Sequence, residues 1–256
     1  MHILFLGLEI ETNSKHMIKS ETLHYTDTTG NEFEGSISWD ESSNEKRPGI
    51  LVVHTFKGQG DFESDKASEL AKLGYVGFAV DLYGKGRRAT VKEEADALMY
   101  ELNGNRALLL ERIQLALQQL LAHPMVDTSK IGAIGFCFGG KTVLDLARSS
   151  ADIRGVVSFH GVYDKPDIIY SQPIKASVLV LHGWEDPLAT PDQTVALAQE
   201  LTERRADWQI LAFGHTGHAF TNPKANMHDQ GMFYQANADK RAWKSMVNFF
   251  EEKFEN

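Results

Sequence analysis

Cysteine is nearly absent from this sequence: Cys137 is the one such residue in 256. A single thiol excludes an intrachain disulfide and suits a reducing compartment. Proline and glycine gather into no linker, so nothing divides the chain, and its length is within what one large α/β domain holds. There is no basic block, and the net charge is −9. Nucleic acid and anionic membrane surfaces are therefore not expected as partners. No apolar run reaches bilayer length. No internal repeat is apparent, and His-Glu-x-x-His, paired-cysteine and Walker patterns are all missing. Gly58-x-Gly60 lacks the third glycine and the spacing of a dinucleotide loop. No metal and no cofactor is expected.

Residues 1–16 contain the apolar stretch Ile3-Leu4-Phe5-Leu6-Gly7-Leu8, without a basic segment before it or a clear small-residue cleavage site. They are read as an N-terminal extension, weakly constrained by pattern, and 17–256 as the single domain, with cytoplasm as the expected location. Whether the domain is a monomer or a homodimer is left open by the sequence.

Strand and helix signals then alternate. Glu21 to Trp39 reads as a hairpin around Thr29-Gly30-Asn31. Ile50-Leu51-Val52-Val53 is an unbroken apolar run, as expected of a strand covered on both faces. Further strands are expected over Tyr75 to Val80, from Ile131, over Gly155 to Phe159, Val178 to Leu181 and Trp208 to Phe213. Helical stripes lie between them: Ala67, Leu70 and Ala71; Leu109, Ile113, Ala116 and Leu120; and, at the end, Trp243, Met246, Phe250 and Phe254. Thr190-Pro191-Asp192-Gln193 opens a helix with a capping box. This alternation implies an α/β fold, a mostly parallel, doubly wound sheet with an antiparallel N-terminal edge hairpin. Chemistry in such sheets gathers beyond the carboxyl ends of the strands. Thr55, Tyr83, Cys137, His160, Asp186 and His218 all fall there.

The stretch from Ile131 to Lys141 carries the sharpest signal. An apolar strand runs into Gly135-Phe136-Cys137-Phe138-Gly139-Gly140 and then a helical pattern from Thr142. This is the strand–turn–helix of a nucleophile elbow, with cysteine at the apex. A buried lone cysteine is more often a small hydrophobe than a nucleophile; the context decides for catalysis here. A thiol nucleophile needs a base, and the base needs a group that fixes its tautomer. Cys137, Asp186 and His218 follow in the nucleophile–acid–histidine order of α/β hydrolases. Glu185 and His215 compete for the last two roles. Gly-x-x-Asp-Pro at a strand outlet favours Asp186, and Gly217 and Phe220 on either side favour His218. The oxyanion hole is expected from the backbone N–H groups of Phe138 and Phe56.

With these residues in place the chain resembles the dienelactone hydrolase family of the α/β hydrolase superfamily. The resemblance runs from about Pro48 to the C-terminus. It is carried by Val52-Val53-His54, Gly74-Tyr75, Asp81-Leu82-Tyr83-Gly84, the Cys137 elbow, Gly183-x-x-Asp186 and Gly217-His218-Ala219-Phe220. It implies an α/β-hydrolase fold and a Cys–Asp–His triad hydrolysing a small ester or lactone without a cofactor. Members that open dienelactone carry a glutamate where this chain has Thr55, and two arginines on the substrate carboxylate where it has Lys85 and Asn222. Thr55, Tyr83, Lys85, His160, Trp184 and Asn222 are the expected substrate-binding residues. The alternative is a hydrolase scaffold that binds a small ligand or a protein without turnover.

Overall fold

The computed structural model describes residues 16–255; apart from His16, the expected N-terminal extension lies outside them. The opening hairpin pairs β1 (Ile18–Thr26) with β2 (Glu32–Asp40). Its turn is closed by Asp27, whose Oδ1 accepts from the backbone N–H groups of Thr29 and Asn31, both at 2.9 Å. Gly30 takes the left-handed φ of +90° that the turn requires.

The remaining strands are β3 (Arg47–Val53), β4 (Val76–Ala79), β5 (Val126–Phe136), β6 (Gly155–Phe159), β7 (Ser177–Gly183) and β8 (Trp208–Phe213). Spatial order across the eight-stranded sheet is β1-β2-β4-β3-β5-β6-β7-β8. The β1–β2 and β2–β4 pairs are antiparallel and all the others parallel. An α/β sheet with an antiparallel edge is the expected architecture. The chain winds outward from β3 to β4, then crosses back to β5 on the other side. The crevice between the ends of β3 and β5 is thus a topological switch point.

Unbroken apolar runs arise because both sheet faces are covered. Leu51, Val53, Ala133, Val156, Val178 and Val180 point into one core. It is shared with α3 (Arg106–Ala122), α4 (Phe138–Arg148) and α5 (Pro191–Glu203), through Leu109, Ile113, Val143 and Leu197. Their chain neighbours Ile50, Val52, Ile134, Val157, Leu179 and Leu181 point the other way, against α1 (Asp61–Lys72) and α6 (Ala236–Glu255). The shorter α2 (Lys92–Asn103) contributes Leu102 to the first core.

Two boundaries differ from expectation. β5 starts at Val126, before the apolar run from Ile131, because its polar opening residues are held by pairing of Val126 with Arg47 across an irregularity in register. α4 starts at Phe138, well before Thr142. Glycines at its N-terminus hide the helical signal, yet every residue from Phe138 to Arg148 is buried. A two-residue ladder, β9 (Asn226–Met227) with β10 (Met232–Phe233), is too short to announce itself in sequence. No helix among the described residues is long and apolar enough to cross a membrane.

Candidate active site

The apex of the elbow is Cys137, between β5 and α4, with φ 57° and ψ −112°. A non-glycine residue holds this conformation only when its surroundings determine it. Here they do. The Cys137 N–H donates to the Phe159 carbonyl at 3.0 Å, and its carbonyl accepts from Lys141 N–H at 3.2 Å. Space forces the flanking glycines: a Cβ on Gly135 would lie 2.0 Å from the Gly139 carbonyl oxygen, and one on Gly139 would lie 2.1 Å from that of Val53. The sharp bend therefore exists only with backbones in direct contact.

His218 lies in the loop after β8. Its N–H donates to the Gly231 carbonyl at 2.7 Å, and its own carbonyl accepts from Phe233 N–H at 3.1 Å. Phe220 is fully buried and packs on Phe213 and His160, fixing the loop from the core side. Asp186, in the loop after β7, places Oδ2 2.8 Å from His218 Nδ1, while its Oδ1 accepts from Leu188 N–H at 2.8 Å. An acid on Nδ1 sets the tautomer with the proton there, leaving Nε2 unprotonated in the neutral ring. Nε2 is buried with no hydrogen-bond partner among the described residues, and the Cys137 thiol acts on the ring. Catalytic hydrogen bonds in unliganded enzymes are commonly loose and tighten on binding. The competitors Glu185 and His215 sit on the surface and face each other, 3.4 Å apart.

Charge coupling is strong. Burial pushes the thiol pKa up, but His218 and the Phe138 N–H outweigh it, and the net position is below the ordinary thiol value. Burial likewise opposes a charged imidazole, yet Cys137 and Asp186 together hold His218 well above its ordinary value. Both displacements favour a thiolate–imidazolium pair.

The other expected residues divide. Phe138 N–H heads α4 beside the sulfur. The Phe56 N–H, in the loop after β3, donates to no described residue, while its carbonyl accepts from Tyr83 Oη at 2.9 Å. Tyr83 is buried, its ring stacked on Phe138 with centroids 5.9 Å apart. His160 is buried edge-on against His218, with Nε2 2.8 Å from Thr221 Oγ1. Its pKa is well below the ordinary range because of burial and then the His218 charge, so it is a neutral wall. Trp184 is half exposed beside His182. Thr55 caps a tight turn, its carbonyl accepting from Gly58 N–H. Asn222 uses Oδ1 locally, on Lys224 N–H at 3.0 Å. Lys85 is directed to Glu32, 3.9 Å away.

Two features, Thr221 and Glu63, escaped the sequence reading; His54, at a strand end, is open by sequence to a pocket-lining or a structural role. Thr221 anchors His160. His54 is structural: its Nδ1 lies 2.6 Å from the Thr55 carbonyl, and its Nε2 accepts from Leu82 N–H at 3.2 Å, tying the exit of β3 to that of β4. Burial lowers its pKa to about 4, keeping it neutral. Glu63 is buried and spans the loop that carries Phe56. It accepts from Thr55 N–H at 3.4 Å through Oε1 and from Gly60 N–H at 3.0 Å through Oε2. Burial raises its pKa to about 7. The Gly60-x-x-Glu63 spacing of a helix start was the available signal. Among the described residues no cluster of three or more metal-ligating side chains is present.

Comparison with known proteins adds relatives. A family model described as the dienelactone hydrolase family matches residues 34–254. A solved dienelactone hydrolase-like promiscuous phosphotriesterase from metagenomic libraries is 36% identical, with a TM-score of 0.87 over 93% of this chain and 99% of that one. An uncharacterised protein of Caenorhabditis elegans is 38% identical over 149 residues, 57% of this chain and 94% of its own. A carboxymethylenebutenolidase homolog of Mus musculus is 30% identical over 96 residues, 37% of this chain and 38% of its own.

Proposed function

This chain belongs to the dienelactone hydrolase family and is an ester or lactone hydrolase; from that premise we propose that it cleaves its substrate through a Cys137–His218–Asp186 triad and a thioester acyl-enzyme. The observation that carries this reading is the buried 2.8 Å contact of Asp186 with His218 Nδ1, which leaves the opposite imidazole nitrogen to the Cys137 thiol.

In the proposed reaction the Cys137 thiolate attacks the carbonyl carbon of a small ester or lactone. The developing oxyanion takes hydrogen bonds from the Phe138 and Phe56 N–H groups, a contribution of about 3 kcal/mol for each donor in comparable sites. Protonated His218 gives its proton to the departing alkoxide, and the C–O bond breaks to leave a thioester on Cys137. Neutral His218 then takes a proton from water, whose oxygen attacks the thioester. The thiolate leaves and the acid product is released. Asp186 holds the imidazole orientation and stabilises its charged form. Tyr83 and His160 form walls, with Thr55, Trp184, Lys85 and Asn222 as outlying candidates for substrate contact.

Mass spectrometry of the protein mixed with a slow aryl ester tests this. An acyl adduct on Cys137 is expected, absent in Cys137→Ala together with turnover. Hydrolysis undiminished in Cys137→Ala refutes the mechanism. No adduct and no turnover across a panel of aryl esters, small lactones and aryl phosphotriesters, with a thiol inert to alkylation, would instead fit a binding scaffold.

A further inference from the structure

The loop between β3 and α1 carries one of the two proposed oxyanion donors, and a single buried side chain grips it at both ends. Glu63 stands in the first turn of α1 and is 3% exposed. A glutamate there ordinarily closes a capping box, accepting from the one backbone N–H that precedes the helix. Glu63 does this for Gly60 N–H through Oε2, at 3.0 Å. It then does more: Oε1 reaches back across the loop to Thr55 N–H, at 3.4 Å. A cap alone does not require burial, which is costly for a carboxylate. Arg88, in the loop after β4, is a cation that acts on Glu63, although its guanidinium pairs with Asp81 at 3.3 Å.

The peptide between Thr55 and Phe56 sits inside this grip. Being planar, it points the Phe56 N–H opposite to the Thr55 carbonyl. That carbonyl accepts from Gly58 N–H at 3.2 Å and lies 2.6 Å from His54 Nδ1. The Phe56 carbonyl accepts from Tyr83 Oη at 2.9 Å, and the Lys57 carbonyl from Ala89 N–H at 2.9 Å. The neighbouring backbone groups are thus occupied, whereas the Phe56 N–H donates to no described residue. Of all these contacts, those of Glu63 tie the start of the loop to its end.

We propose that Glu63 is a positioning residue for hydrolysis: its carboxylate, bridging Thr55 N–H and Gly60 N–H, fixes the direction of the Phe56 N–H before substrate arrives. The proposal rests on the reading of Phe56 as an oxyanion donor. The bridge needs a carboxylate because each of its two oxygens accepts. An amide in its place offers one acceptor and turns an NH2 group toward the other N–H. An acid one methylene shorter falls short of one end. Preset donors aid catalysis because they need no reorganisation as charge develops on the substrate.

Two reactions of the same thiol separate this role from a merely structural one. Acylation by para-nitrophenyl acetate passes through an oxyanion, whereas alkylation by iodoacetamide displaces iodide and forms none. The readout is the ratio of the two rate constants in the full chain, at about pH 8.5, above the Glu63 pKa of about 7. In Glu63→Gln, acylation should fall about ten- to a hundredfold with alkylation unchanged, short of the 10²–10³ lost when a donor is removed outright. Glu63→Asp keeps the charge but not the span; it should lower the ratio too, and it keeps the test available if Glu63→Gln does not fold. Ser64→Ala removes the neighbouring contact from Gln59 Nε2, at 2.8 Å, and should leave the ratio as it is. An equal fall in both rates overturns the proposal, since loosening of the whole fold would produce it. So does a fall of the same size in Ser64→Ala. A parent that forms no acyl adduct on Cys137 overturns the triad reading and this proposal with it. A parent that does, with a ratio unmoved by both Glu63 substitutions, overturns this proposal alone.

Discussion

Asp186→Asn is the most direct probe of the charge coupling. The substitution keeps the shape of the side chain but removes the carboxylate 2.8 Å from His218 Nδ1. A hydrogen bond to a charged group contributes about 1.5–3 kcal/mol, which is about 1–2 pKa units. The imidazolium is therefore destabilised by that amount. A smaller effect opposes it, because the Asp186 charge also acts on the thiolate and raises the Cys137 pKa. The net change favours the neutral thiol–imidazole pair. In the parent, the thiol is held below its ordinary pKa and His218 above its own, so the reactive thiolate is present from the depressed thiol pKa upward. In the variant that onset moves up by about one unit. The assay is the rate of Cys137 alkylation by iodoacetamide as a function of pH, in both proteins. Ester turnover should fall by about 10³–10⁴-fold in the variant, as for a mis-held catalytic imidazole. Identical alkylation profiles would refute the ion pair; an unchanged profile with unchanged turnover would remove Asp186 from the mechanism altogether.

Two further predictions concern the frame around the site. Gly139→Ala places a methyl group 2.1 Å from the Val53 carbonyl oxygen, with backbone on both sides and no flexible side chain to yield. Destabilisation above about 4 kcal/mol is expected, read from urea denaturation; a midpoint matching the parent would show that the elbow can open. Glu63 has a folded-state pKa of about 7 against an ordinary value of 4.5, so the folded chain binds its proton more tightly than the unfolded one. Stability should fall as pH rises through that interval, by up to about 3 kcal/mol. Glu63→Gln should flatten this pH dependence in denaturation series at about pH 5 and about pH 8. An unaltered slope would assign the dependence to other groups.

Much of this molecule is legible in its sequence because two strong patterns coincide. Apolar runs such as Ile50–Val53 and Gly155–Phe159 mark strands covered on both faces, and β6 falls on the expected residues. Glycines at 135 and 139 mark a backbone contact that few folds demand. The illegible parts depend on contacts across long separations. The opening of β5 is polar and is held by β3. The β9–β10 ladder has too few residues for any period, although it is where the His218 loop is clamped. Lys85 matches a substrate-binding position by pattern, while its contact with Glu32, at the turn of the opening hairpin, carries no sequence signal.

The order of strands has a consequence for synthesis of the protein. The thiol emerges from the ribosome at the end of β5, about eighty residues ahead of the imidazole, which lies beyond β8 at the far edge of the sheet. A nascent chain stalled or truncated before residue 218 lacks the imidazole that does most to hold the Cys137 thiol below its ordinary pKa, however much of the central sheet has formed. On the proposed triad, hydrolytic competence is withheld until the last parallel strand has docked and the following loop has closed, so the appearance of a reactive thiol during translation would time the completion of folding.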